Sequence, residues 1–174
     1  MNTATRSNWD YLREFSSDWI SKPEMTPDEG KKYLRFVEEF GLFLCAKTPD
    51  GRVGFNAMTT AQIRNVFGEM KRIASNLDFK EPKTSESVTD EQKQQIEVAN
   101  EKWKSVYSAF LMLRPKVAYN TARAQARTRD TRMINFKELF EKAHEAVNSP
   151  YDFGRFVTFF EGVLAYHKVH GGRD

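Results

Sequence analysis

The sequence predicts an all-α protein, a single compact bundle of about five to six helices with a long central helix interrupted by proline. Three observations carry that expectation. Apolar residues recur at three- and four-residue spacing along most of the chain, which is the signature of successive helix faces. The β-branched runs that strands require are absent, and 9 glycines and 6 prolines in 174 residues are few for a sandwich or barrel. A chain of this length, 40% hydrophobic and 29% charged, holds enough apolar surface for one core and no more.

Trp9, Leu12, Ser16, Trp19 and Ile20 share one side at helical spacing, which predicts a first helix from about Trp9 to Ile20 that Pro23 closes. Its two tryptophans read as core. Thr26-Pro27-Asp28-Glu29 is a helix start, with Thr26 as N-cap, Pro27 at the first helical position and Glu29 completing a capping box. The stripe Tyr33, Phe36, Val37, Phe40 and Leu44 extends that helix over 27–46. Thr48-Pro49-Asp50-Gly51 is turn chemistry, followed by a short loop to Asn56. Thr59 and Gln62 form a second capping box for a helix over 60–77, with Ile63, Val66, Phe67, Met70, Ala74 and Leu77 inward. Arg64 and Lys71 fall within roughly 20° of each other on its flank.

Phe79 to Asp90 is polar and reads as a mobile linker. Helical character resumes near Glu91 and continues through Trp103, Phe110 and Leu113. Pro115 cannot donate its backbone hydrogen bond and crowds the preceding turn, so the run to Arg127 is kinked or split there. A helix over 135–147 carries Phe136, Leu139, Phe140 and Ala143 inward, and a last helix carries Phe153, Phe156, Val157, Phe160, Val163 and Leu164. His167 extends that last stripe, and Gly171-Gly172 ends it. Residues 1–56 read as an N-terminal helical extension packed on a core of residues 57–174, one domain overall.

Charge is distributed unevenly. The net charge is +3, yet residues 102–132 alone carry +7 while residues 81–101 carry −4. In helical projection Lys116, Arg123 and Arg127 form a stripe beside the buried face of Val117 and Ala124, interleaved with Tyr119, Asn120 and Gln125. A concentrated positive face with neutral hydrogen-bonding groups points to a polyanion, against the plainer reading of a solvated helix face. Arg114 projects elsewhere.

No glycine-rich phosphate loop, nucleophile elbow or paired metal motif is present in the sequence, so it offers no catalytic residue, metal or cofactor. The His167 to His170 spacing lacks accompanying carboxylates, and His167 reads as a hydrogen-bonded histidine at the core edge. Cys45 is the single cysteine and reads as a small apolar residue in a reducing compartment. The polar N-terminus lacks a signal pattern, and no segment approaches a membrane span, so a soluble, cytoplasmic protein is expected.

Three ordered motifs resemble one family. They are Thr60-Ala61-Gln62-Ile63-Arg64 heading a helix, Leu113-Arg114-Pro115-Lys116-Val117-Ala118-Tyr119 with Arg123 four residues on, and Phe156-Val157 through Phe160-Glu161, Ala165-Tyr166-His167-Lys168 and Gly171-Gly172. Together they resemble the small subunit of the type III-A CRISPR (Csm) effector complex, over about residues 57–172. The resemblance implies an all-helical, non-enzymatic protein, present in several copies beside crRNA and target RNA, with the other Csm subunits as partners. On that view Lys116, Arg123 and Arg127 track the target-strand backbone, and Arg64 and Lys71 supply a second contact line. Arg114 serves RNA or a neighbouring subunit, while Gln62, Tyr119, Tyr166 and His167 belong to the structural motif. A helical protein–protein adaptor whose basic face meets acidic partners is the alternative. A DNA-binding regulator would want a short two-helix unit with a tight turn, which a long proline-interrupted helix does not provide.

Overall fold

The computed structural model describes residues 9–77, 80–82, 88–129 and 131–172. Among them the regular elements are α1 (Tyr11–Glu14), α2 (Asp18–Ser21), α3 (Pro27–Leu44), α4 (Thr60–Ala74), α5 (Asp90–Leu111), α6 (Leu113–Arg127), α7 (Arg132–Glu145) and α8 (Pro150–Val169). The chain is an all-α bundle, as the periodicity predicts. Half of the expected linker from Phe79 to Asp90, and the polar residues before Trp9, lie outside the described residues.

The starts of the longer helices are written locally. Thr26 with Glu29, Thr59 with Gln62, and Thr89 with Gln92 each make a reciprocal capping box, and the side chain of Ser149 accepts from the Asp152 amide. The first helix departs from expectation. Instead of one helix over 9–20 there are two single turns separated by Phe15, whose backbone is extended. On a continuous helix Tyr11 and Ile20 would face roughly opposite sides. The break lets Trp9, Tyr11, Phe15, Trp19 and Ile20 all enter the core.

The helix around which the others pack is α8. Phe153, Phe156, Phe159, Phe160 and Val163 are fully enclosed, so α8 is apolar nearly all round, which is how a helix at the centre of a domain reads. Burying each such phenylalanine contributes about 1.5–3 kcal/mol over leaving it exposed. Phe36 and Phe15 of the N-terminal segment meet Phe159, while Phe136 and Phe140 of α7 meet Phe160 and Phe156. Helix α3 approaches α8 closely because Gly41 faces it: a Cβ there would lie 2.7 Å from the carbonyl oxygen of Val163.

The proline-interrupted run resolves into two helices joined at Met112. Without an N–H on Pro115, the carbonyl of Leu111 has no donor four residues on, and the ring crowds that turn. Helix α5 ends at Leu111, and α6 restarts at Leu113, with the Lys116 amide donating to Met112 at 3.3 Å. The one-residue break sets the direction of the basic helix.

Candidate nucleic-acid interface

Helix α6 is oriented by its buried residues Leu113, Val117, Thr121 and Ala124, which pack toward α4 and α7. Thr121 can lie inside because its hydroxyl donates to the Val117 carbonyl at 2.9 Å. This rotation leaves Lys116, Arg123 and Arg127 exposed, within roughly 40° of one another, on the flank nearest α4. Tyr119 is 63% exposed beside them, and the Arg123 guanidinium lies 5.7 Å from its ring centroid.

The cations differ in their engagement. Lys116 pairs with Glu69 of α4 at 3.0 Å, and that hydrogen bond, followed by the one from Arg72, holds the Glu69 carboxyl below its ordinary range. Arg114 leaves the stripe and reaches Glu145 of α7 at 3.4 Å. Lys71 pairs with Glu161 of α8 and lies 5.4 Å from the Phe67 ring centroid. Arg64 shares its flank of α4, which is more than about 100° around the helix from Gln62, Asn65 and Glu69. The structure therefore does not bring Arg64 and Lys71 to the α6 stripe. Among the described residues neither Arg123 nor Arg127 has an ion-pair partner.

A groove runs between α4 and α6. At one end, about 240 Å³, it is lined by Asn65, Glu69, Lys116, Tyr119 and Asn120. At the other, about 400 Å³, it is lined by Phe55, Gln62, Asn65, Asn120, Arg123 and Arg127. A larger cleft of about 480 Å³ lies elsewhere, against α3, where Glu29, Glu39, Lys32 and Arg35 mix both signs and Arg35 is taken by Glu39 at 3.0 Å. Among the described residues the α4–α6 groove brings together arginines without an ion-pair partner, neutral amides and exposed aromatic rings.

Phe55 and Asn65 are groove residues that the sequence did not single out. Phe55 sits in the loop before α4, where no periodicity marks a position as special. The loop is nonetheless held firmly. The Gly54 amide donates to the Cys45 carbonyl at 3.3 Å, Met58 to Leu44 at 3.0 Å, and Arg132 to Asn56 at 2.9 Å. Gly54 lies so close to the Ala46 carbonyl, 2.2 Å from an added Cβ, that no side chain fits there.

The other motif residues fasten helices together. Gln62 closes the α4 capping box, accepting from the Thr59 amide at 2.8 Å. His167 is buried and its Nε2 donates to the Met58 carbonyl at 2.9 Å, tying α8 to the loop that carries Phe55. Burial pushes its pKa below the ordinary histidine value, against the opposing effect of that hydrogen bond. Gly172 lies against the imidazole, leaving no room for a Cβ. Tyr166 is half-buried, stacks on His170 with 6.3 Å between centroids, and packs over Gly41. Cys45 donates to the carbonyls of Gly41 and His167, and burial raises its pKa to about 11, which leaves it an unreactive thiol at neutral pH.

No helix among the described residues is long and apolar enough to cross a membrane. No curated protein and no solved structure matches the chain. A family model described as Csm2 Type III-A matches residues 42–173, which include α4 to α8, the groove and every motif residue named above. With more than half of its length matched, the chain belongs to the Csm2 Type III-A family, the small subunit of the type III-A CRISPR Csm complex.

Proposed function

We propose that this small subunit is a non-catalytic RNA-backbone clamp that contacts target RNA and crRNA through the flank of α6 and supports assembly of the cytoplasmic complex in antiviral defence. The observation that carries the reading is the pair Arg123 and Arg127, exposed on one flank beside the groove and without an ion-pair partner among the described residues. Cations held by a rigid helix contact phosphates whatever the sequence, which suits a system in which base pairing to a guide reads sequence. Lys116 joins them by exchanging Glu69 for a phosphate. Arg64 and Lys71, on the opposite flank of α4, serve a separate contact line, and Arg114 serves a neighbouring subunit or RNA. Residues 1–56 act as an extension that braces α8, and further copies of the chain line the same ribonucleoprotein.

The test is the salt dependence of RNA binding by the purified chain. Each phosphate contact on single-stranded RNA contributes about 0.7 to the log–log slope, so Arg123→Ala with Arg127→Ala lowers it by about 1.4. A slope unchanged by that double substitution, together with full target-RNA binding by a complex carrying Lys116→Glu, Arg123→Glu and Arg127→Glu, sinks the reading. In that event, associations that survive nuclease treatment would assign the basic face to acidic protein partners.

A further inference from the structure

We propose that Glu69 stands in for an RNA phosphate on the α6 flank: its carboxylate holds Lys116 in the unbound chain, yields it to the backbone when RNA arrives, and so limits how tightly the flank binds. The inference rests on the RNA-binding reading above and concerns how that same surface is regulated.

Glu69 is the one carboxylate among the described residues that line either end of the α4–α6 groove, where the other polar side chains are cationic or neutral. It reaches from α4 toward α6 with a single oxygen, Oε2, which lies 3.0 Å from the Lys116 ammonium and 3.0 Å from the Arg72 guanidinium. A phosphate oxygen is held between two cations in the same way. Hydrogen bonds from Lys116 and then Arg72 keep the carboxyl below its ordinary range, so it is charged at neutral pH. The pair with Lys116 is partly exposed, and pairs of that kind add little to stability. Its larger consequence is electrostatic. Of the three cations in the stripe, Lys116 is neutralised, while Arg123 and Arg127 have no ion-pair partner among the described residues.

Exchange is feasible because Glu69 has a second cation. When Lys116 turns to a phosphate, Arg72 remains on the carboxylate and no charge is stranded. Arg72 does not line the groove, so it can stay with Glu69 while RNA occupies the α6 side. Arg123 and Arg127 therefore engage a backbone first, and the next phosphate along α6 competes with Glu69 for Lys116. This competition weakens the grip of each subunit without altering its other contacts. It applies to any sequence, because only backbone charge takes part.

The experiment titrates the purified full-length chain into a fluorescently labelled single-stranded RNA and follows anisotropy over a range of salt. Glu69→Gln keeps the shape of the side chain and an acceptor for Arg72 but removes the charge. It tightens binding about fivefold at low salt and raises the log–log salt slope by up to about 0.7, the share of one complete phosphate contact. Lys116→Ala weakens binding about twofold in the parent and about tenfold beside Glu69→Gln, so the gain depends on that lysine. The melting curve of the Glu69→Gln chain matches the parent, because the pair is partly exposed. If Glu69→Gln tightens binding equally with and without Lys116, Glu69 is a general negative charge and the exchange is overturned. If Glu69→Gln leaves affinity and slope unchanged while Arg123→Ala with Arg127→Ala weakens binding, the exchange is overturned and the backbone reading stands. If the arginine pair is also without effect, the backbone reading falls and the exchange with it.

Discussion

The imidazole of His144 lies parallel to the ring of Phe110, 1° between planes and 3.9 Å between centroids, and its Nε2 donates to the carbonyl oxygen of the same Phe110 at 3.0 Å. A carbonyl only accepts, so Nε2 carries a proton, while burial is what favours the neutral ring. This contact ties α7 to the last turn of α5, two residues before the break at Met112, and so helps to set the direction of α6.

Acid should weaken the fold through this histidine and His167. Burial is the main cause that lowers both pKa values, while the hydrogen bonds to Phe110 and Met58 act in the other direction. The unfolded chain protonates its histidines near about pH 6.5, so below that value it binds protons that the folded chain does not. The stabilising contribution is complete above about pH 6.5 and declines as pH falls toward the lower folded values. Denaturant unfolding at about pH 7.5 and about pH 5.5 measures it. His144→Gln with His167→Gln should be less stable at neutral pH and show a flatter pH profile, and an unchanged profile would refute the assignment.

Two glycines of α3 should respond with opposite sign to the same substitution. At Gly41 a Cβ would lie 2.7 Å from the Val163 carbonyl oxygen and 2.8 Å from the His167 amide nitrogen, both backbone atoms of α8 that cannot step aside. Gly41→Ala should cost about 1–3 kcal/mol or more and lower Tm by several degrees. Nothing lies within 4 Å of a Cβ at Gly30, so Gly30→Ala should stabilise the helix by about 0.5–1 kcal/mol. Calorimetry of the two variants checks the pair.

Arg155 joins three segments through one guanidinium. It donates to the Ile20 carbonyl at 2.7 Å and to Asp152 at 2.7 Å, and it pairs with Glu81. Arg155→Ala leaves the buried Asp152 carboxylate without its cation and the end of α2 without a donor, at a cost of about 2–4 kcal/mol. Arg155→Lys should recover only part of the loss, because an ammonium cannot span the three partners. Proteolysis within the N-terminal segment, measured alongside Tm, should accelerate in the alanine variant.

Much of the fold was legible because it is locally encoded. The capping boxes at Thr26 and Thr59 and the stripe from Phe36 to Leu44 each depend on residues within one or two turns. The same holds for the α5–α6 break, which Pro115 dictates through its missing N–H. The α6 stripe was legible too, since Lys116, Arg123 and Arg127 share a flank in any straight helix. The pattern from Trp9 to Ile20 misled because it counts spacing and ignores where the core lies: Tyr11 and Phe15 needed a break to reach it.

The sequence by itself determined the class of this protein, the ends of its longer helices, its family motifs and the position of its positive charge, because propensity, capping and periodicity act over a few residues. Only the tertiary structure decided which cations are occupied. Glu69, Glu145 and Glu161 stand far from Lys116, Arg114 and Lys71 in the chain and meet them only when α4, α7 and α8 pack. It also decided that Phe55, from an unremarked loop, shares a cleft with Arg123 and Arg127. Such proximity between distant segments follows from the burial of α8 at the centre, which no short-range pattern records.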